Sequence, residues 1–184
     1  MAKHILERYA RTEDRRFILD ITAQGAADLY NNFDRNTPYV KKDLASDLVD
    51  YMVDSVEELG NEPFVIQVHL LEPATEDVLQ RIHTSFHSYF TYMQELELRR
   101  LMRMLKIALT LLLAGLALLS LSVWVNQALK DGDSVWRLIL AEGLTIAAWV
   151  SLWEALATFL INWLPHRRKI RLYKRISLAP VLFV

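Results

Sequence analysis

The chain has 184 residues, is 53% hydrophobic, contains no cysteine and carries a formal net charge of −1. The apolar content excludes a disordered chain, and the lack of cysteine excludes a disulfide scaffold and a cysteine-ligated zinc or iron–sulfur centre. The near-neutral charge conceals two opposed halves: residues 1–98 hold 9 Lys/Arg against 18 Asp/Glu (net −9), and residues 99–184 hold 12 against 4 (net +8).

The first twenty residues are rich in charge and lack an apolar core region, so no cleavable leader is expected. Glu7, Glu13 and Asp14 also fit poorly with a mitochondrial presequence. RFILDITA (Arg16–Ala23) alternates Phe17, Leu19 and Ile21 with Ile18, Asp20 and Thr22, the period of a strand. Residues 24–38 form a connection rich in Asn and Asp, with a short helical turn expected near Ala26–Asn31. Asp28, Asn31, Asn32, Asp34 and Asn36 are oxygen ligands in kind, but their spacing lacks the alternation, central Gly and closing Glu of an EF-hand loop. Turn formation is the better reading.

A helix is predicted from about Val40 to Leu59, stopped by Gly60. Leu44, Leu48, Tyr51, Met52, Val56 and Leu59 make its apolar face, and Asp43, Asp47, Asp50, Asp54, Glu57 and Glu58 an acidic ridge. That ridge repels phosphate, so no nucleic-acid partner is expected. PFVIQVHLL (Pro63–Leu71) predicts a second strand, and the strand–helix–strand order predicts a parallel crossover. Two strands are too few for a stable sheet, so more must come from the chain end or another subunit.

Thr75 is a suitable N-cap for a helix that meets no Pro before Leu129. Leu79, Ile82, Phe86, Tyr89, Met93 and Leu96 follow steps of three and four, a seam able to pack on the sheet or on another copy. Residues 107–129 contain no charge and suffice to cross about 30 Å of hydrocarbon. Gly132 permits a reversal, and a second span runs from 135 to 164 and is expected to stop at Pro165. Arg99, Arg100 and Arg103 precede the first span, and Arg167, Arg168, Lys169 and Arg171 follow the second. These cations suit anionic lipid headgroups and, by the positive-inside rule, put both termini in the cytoplasm.

Two acids interrupt the second span, Glu142 near its outer end and Glu154 near its middle. Glu154 lies in a line of small or polar residues, including Gly143, Ala147, Ser151, Ala155, Thr158 and Asn162, that favours close helix contact. A carboxyl at that depth needs a protein or water partner or a proton, so Glu142, Ser151, Glu154, Thr158 and Asn162 form a candidate assembly or ion site. His83 and His87 have the i,i+4 spacing of metal ligands, but neighbouring turns supply no third ligand, so a solvated or satisfied pair is expected. No glycine-rich phosphate loop, GxSxG or HExxH motif is present, and neither an enzymatic activity nor a cofactor or metal is expected. After the basic run, ISLAPVLFV is apolar and is expected to add an edge strand to the sheet of its own or another subunit.

The expected fold is an α+β membrane protein: a cytosolic βαβ domain (1–98), a two-span hairpin (99–165), and a basic cytosolic tail with an apolar end (166–184). The leading expectation for function is a homo-oligomeric structural, assembly or regulatory protein, in a bacterial inner membrane and within reach of a larger membrane complex. An oligomeric ion channel or proton-coupled component using Glu154 or Glu142 is the alternative. A cysteine label at Gly132 should be reached only from outside the cytoplasm and labels at residues 2 and 184 only from inside; the reverse pattern would overturn the orientation.

Overall fold

The structure, a computed structural model, describes residues 6–31, 43–128 and 135–184, apart from the side chains of Arg137 and Asn162. Among these residues the protein is mostly helical, with a small three-stranded parallel sheet and two long apolar helices that could span a membrane. The elements are β1 (Phe17–Ala23), a 3₁₀ turn (Ala26–Leu29), α1 (Ser46–Leu59), β2 (Phe64–Leu70), α2 (Glu76–Ala128), α3 (Val135–Ser177) and β3 (Val181–Phe183). They form two compact units: Met1–Leu96 with Lys169–Val184, and Glu97–Arg168.

In the first unit the strand order is β1-β2-β3, with both pairings parallel. The alternation in the strand sequences sends Phe17, Leu19 and Ile21 of β1 and Phe64, Ile66 and Val68 of β2 into one core. Onto the same core pack Met52, Val56 and Leu59 of α1, Ile82, Phe86 and Phe90 of α2, and Tyr173 and Ile176 of α3. The expected seam of the long helix is therefore used inside its own chain, although Phe90 rather than Tyr89 lies at its centre. Tyr89 is half-buried, and its burial, helped by nearby Asp43, pushes the phenol pKa up to about 12. It therefore stays a neutral hydroxyl across the physiological range.

The third strand comes from the chain end. The Ile66 N–H donates to the Pro180 carbonyl at 2.9 Å, and the Val184 N–H donates to the Val68 carbonyl at 3.1 Å. Pro180 sits at the entry to β3 and contributes only an acceptor, which its missing N–H permits.

Two boundaries depart from the sequence expectation. The helix expected from Val40 starts at Ser46, with residues 32–42 outside those described. Leu44 instead bridges Tyr30, the Asn31 N–H donates to the Asp43 carbonyl, and the Ala45 N–H donates to the Leu29 carbonyl. That short extended link buries Leu44 without a helical turn. The second long helix does not stop at Pro165 but continues to Ser177, with Pro165 inside it. Pro165 removes one N–H, the donor to the Ile161 carbonyl. The following run of helix formers and the burial of Tyr173 and Ile176 offset that local cost.

Side chains tie the returning segment to the rest of this unit. The Arg175 guanidinium donates to the Gly60 carbonyl and, at 2.6 Å, to the Glu62 carbonyl, and lies 5.3 Å from the Phe64 ring centroid. It thereby covers the carbonyl end of α1, where a cation is favoured, and partial burial lowers its pKa. His87 Nδ1 lies 2.8 Å from the Ser177 carbonyl oxygen and caps α3. One member of the expected histidine pair is thus bound to backbone. Deleting residues 179–184 should lower the thermal stability of this unit. Arg175→Ala should cost about 1–2 kcal/mol in chemical denaturation, and an unchanged midpoint in both variants would show that the return segment is not structural.

Candidate functional site in the apolar helix pair

The second unit is built from parts of α2 and α3. On α2 the buried positions are Glu97, Leu101, Met104, Ala108, Ser122 and Val125, and Gly115 falls on the same line. Their spacing keeps to steps of three and four or their sums, the pattern that keeps one helix face against another. On α3 the buried positions are Ala141, Ala148 and Ala155, each seven residues apart. Small side chains dominate, so the backbones approach closely. At Gly115 an added Cβ would lie 2.9 Å from Leu152 side-chain atoms and 3.2 Å from the Leu152 backbone nitrogen. Farther along, Leu105, Ala108, Leu112, Leu152, Ala155 and Phe159 border an open apolar groove of about 360 Å³, which offers packing but no polar chemistry.

Polar side chains close the seam at both ends. At one end, the Ser122 and Thr145 hydroxyls lie 2.7 Å apart, and both reach the Ala141 carbonyl oxygen at 2.9 Å. At the other end, the Glu97 side chain is 4% exposed. Its Oε1 lies 2.6 Å from His166 Nδ1, and its Oε2 accepts from Arg100 at 3.1 Å. A buried carboxylate is expensive unless its oxygens are bonded, and here each oxygen has a nitrogen partner. The two contacts are charge-assisted when the imidazole is protonated.

The structure separates the residues that the sequence grouped. Ser151 donates to the Ala147 carbonyl at 2.9 Å instead of reaching Glu154. Ser151 and Thr158 are half-buried and Ala155 is buried, whereas Gly143, Ala147, Glu142 and Glu154 lie on the exposed side. Among the described residues neither Glu142 nor Glu154 has a hydrogen-bond partner, and the Asn162 side chain lies outside those described. The basic residues Arg99, Arg100, Arg103, Arg167, Arg168, Lys169 and Arg171 are all exposed. Arg100 nevertheless pairs with Glu97, and the Arg167 guanidinium lies 5.1 Å from the Trp163 ring centroid. Of the oxygen-rich loop, Asp28 accepts from the Gly25 N–H at 3.2 Å, and Asn32, Asp34 and Asn36 lie outside the described residues. Among the described residues no group of three or more His, Asp or Glu is placed to hold a metal ion.

The Glu97–His166 contact was not anticipated from the sequence. Glu95 and Glu97 both precede Arg99 and Arg100, and such a run resembles ordinary surface pairing on one helix. The one available signal was spacing: four residues beyond Met93, the seam falls on Glu97 rather than Leu96. Comparison with protein-family models, with curated proteins and with solved structures gives no match to the chain. Gly115→Leu should force the helices apart at Leu152 and lower the stability of the pair by about 1–3 kcal/mol. Unfolding in a denaturing detergent titration would measure this, with exposed Leu113→Ala as a near-neutral control.

Proposed function

We propose that the chain is a small integral membrane protein whose two long helices cross the bilayer as a hairpin, with the sheet-bearing unit and both termini in the cytoplasm. The observation that carries this reading is the inverted exposure of the helices. Their most apolar 18-residue windows have mean hydropathy 2.3 and 1.7 but are only 17% and 11% buried within the chain. Leu113, Trp124, Ile146, Trp149, Val150, Trp153 and Leu160 all point outward. A surface of that size needs a non-aqueous covering, and lipid supplies it along a length that matches a bilayer. The return of residues 169–184 to the unit formed by residues 1–96 supports an even number of crossings, since one folded unit cannot lie on both sides. The exposed cations flanking the apolar segments then face anionic headgroups on the cytoplasmic side, as in a bacterial inner membrane.

Within that membrane we assign the protein a structural, assembly or regulatory role as a homo-oligomer, its cytosolic unit serving as an interaction surface toward a larger membrane complex. Glu154 supports association, because its carboxyl faces outward from an apolar helix and has no partner among the described residues. Another subunit's polar group would satisfy it. The same exposed acid keeps a second reading open, in which Glu154 or Glu142 lines an ion or proton pathway inside the oligomer. Glu154→Gln should preserve oligomer size in mild detergent, since an amide still bonds, and Glu154→Leu should reduce it. Normal assembly of both variants, with loss of an ion flux in both, would replace the assembly role with the pathway.

A further inference from the structure

We propose that the groove beside the α2–α3 seam seats one anionic phospholipid, with an acyl chain in the groove and the phosphate on Arg167; this site depends on the reading of both helices as membrane spans. Leu109 and Leu112 of α2 and Leu156 and Phe159 of α3 line the sides of the groove, over a floor of buried Ala108 and Ala155. The lining covers residues 105–112 and 152–159, two turns of each helix and about 10 Å of length. Toward Gly115 the groove ends, because Leu152 packs there against the bare backbone and the helices meet. A short apolar slot closed at one end suits part of one hydrocarbon chain. A spanning helix of a second copy would need a face running about 30 Å along the pair.

The other end of the groove leads to a cation. Phe159, Trp163 and Arg167 follow one another at four-residue steps on one face of α3. The Phe159 and Trp163 ring centroids lie 4.8 Å apart, and the Arg167 guanidinium lies 5.1 Å from the Trp163 centroid. Arg167 is exposed, and among the described residues no acid pairs with it, so its planar fork is available to a phosphate. It stands eight residues, or about 12 Å, beyond Phe159, and half-buried Trp163 occupies the interval where the glycerol esters would lie. Charge and hydrocarbon are thus arranged in the order of a phospholipid. Glu154 is offset by two residues from both Leu152 and Leu156, about 200° around the helix, so a subunit that meets it approaches from another face.

The full-length protein in mild detergent is titrated with phosphatidylglycerol or with phosphatidylcholine of the same acyl chains, and bound lipids per chain are counted by native mass spectrometry. One phosphatidylglycerol per chain should be retained, about fivefold more tightly than phosphatidylcholine. Arg167→Gln should abolish that preference. Arg103→Gln, which removes an exposed cation about 200° from the groove residue Leu105, should leave it intact. Leu156→Trp, which fills the groove from a half-exposed position, should lose both lipids while oligomer size is unchanged. Equal weakening by Arg103→Gln would show a diffuse basic surface and overturn the site. So would full retention in Leu156→Trp, which would mean that charge alone binds, or a change in oligomer size there, which would make the groove a contact between copies. Extraction of the chain from membranes by an alkaline wash would overturn the membrane reading together with the site. Resistance to that wash without selective retention would overturn the site alone.

Discussion

The close approach of α2 and α3 is the constraint on which the second unit depends. Ala108, Gly115, Ala141, Ala148 and Ala155 leave so little bulk between the helices that Leu152 fits against the bare Gly115 backbone. Large side chains are displaced to the outside, where Trp149, Trp153 and many leucines are exposed. In water this arrangement would be unstable, because burial of apolar area is the main favourable term. In hydrocarbon the outward residues cost nothing, and association rests on dispersion contacts and interhelical hydrogen bonds. Small residues maximise the first, while Ser122 with Thr145 and Glu97 with His166 supply the second.

The sheet-bearing unit depends on a different constraint, the return of the chain after the second apolar helix. β1 and β2 alone expose one side of β2, and β3 covers it with three paired residues. The same segment brings Tyr173 and Ile176 into the core and Arg175 to the end of α1. These contacts join positions about a hundred residues apart, so this unit cannot be complete until the second helix has been made. Its completion also fixes residues 96 and 169 in one folded body, which is why it bears on membrane topology.

Exposed carboxyls on α3 and the buried carboxyl on α2 are opposite solutions to one electrostatic problem. Glu97 is removed from solvent and bonded within the chain, so its cost is met internally. Glu142 and Glu154 face outward from an apolar helix. Under the membrane reading they are the features most in need of something beyond one copy.

Much of this was legible in the residue order. Alternation over RFILDITA and PFVIQVHLL determined the two strands and the face each turns to the shared core, because a strand's period is two, although Val65 on the other face of the second strand is buried as well. Uncharged length determined the two long helices, and the acidic ridge of α1 is exposed as its spacing implied. Tertiary structure decided what local pattern cannot encode. Pro165 argued for a helix end, but the distant core that receives Tyr173 and Ile176 outweighs one lost backbone bond. Leu44 carried a helical pattern, but its bridge to Tyr30 holds it extended. Within this chain the enclosed acid is Glu97 and Glu154 is exposed, since rotation about the helix axis relative to a neighbour selects which face is inside. The partner of that acid is 69 residues away, and only the antiparallel register of two packed helices sets His166 beside it.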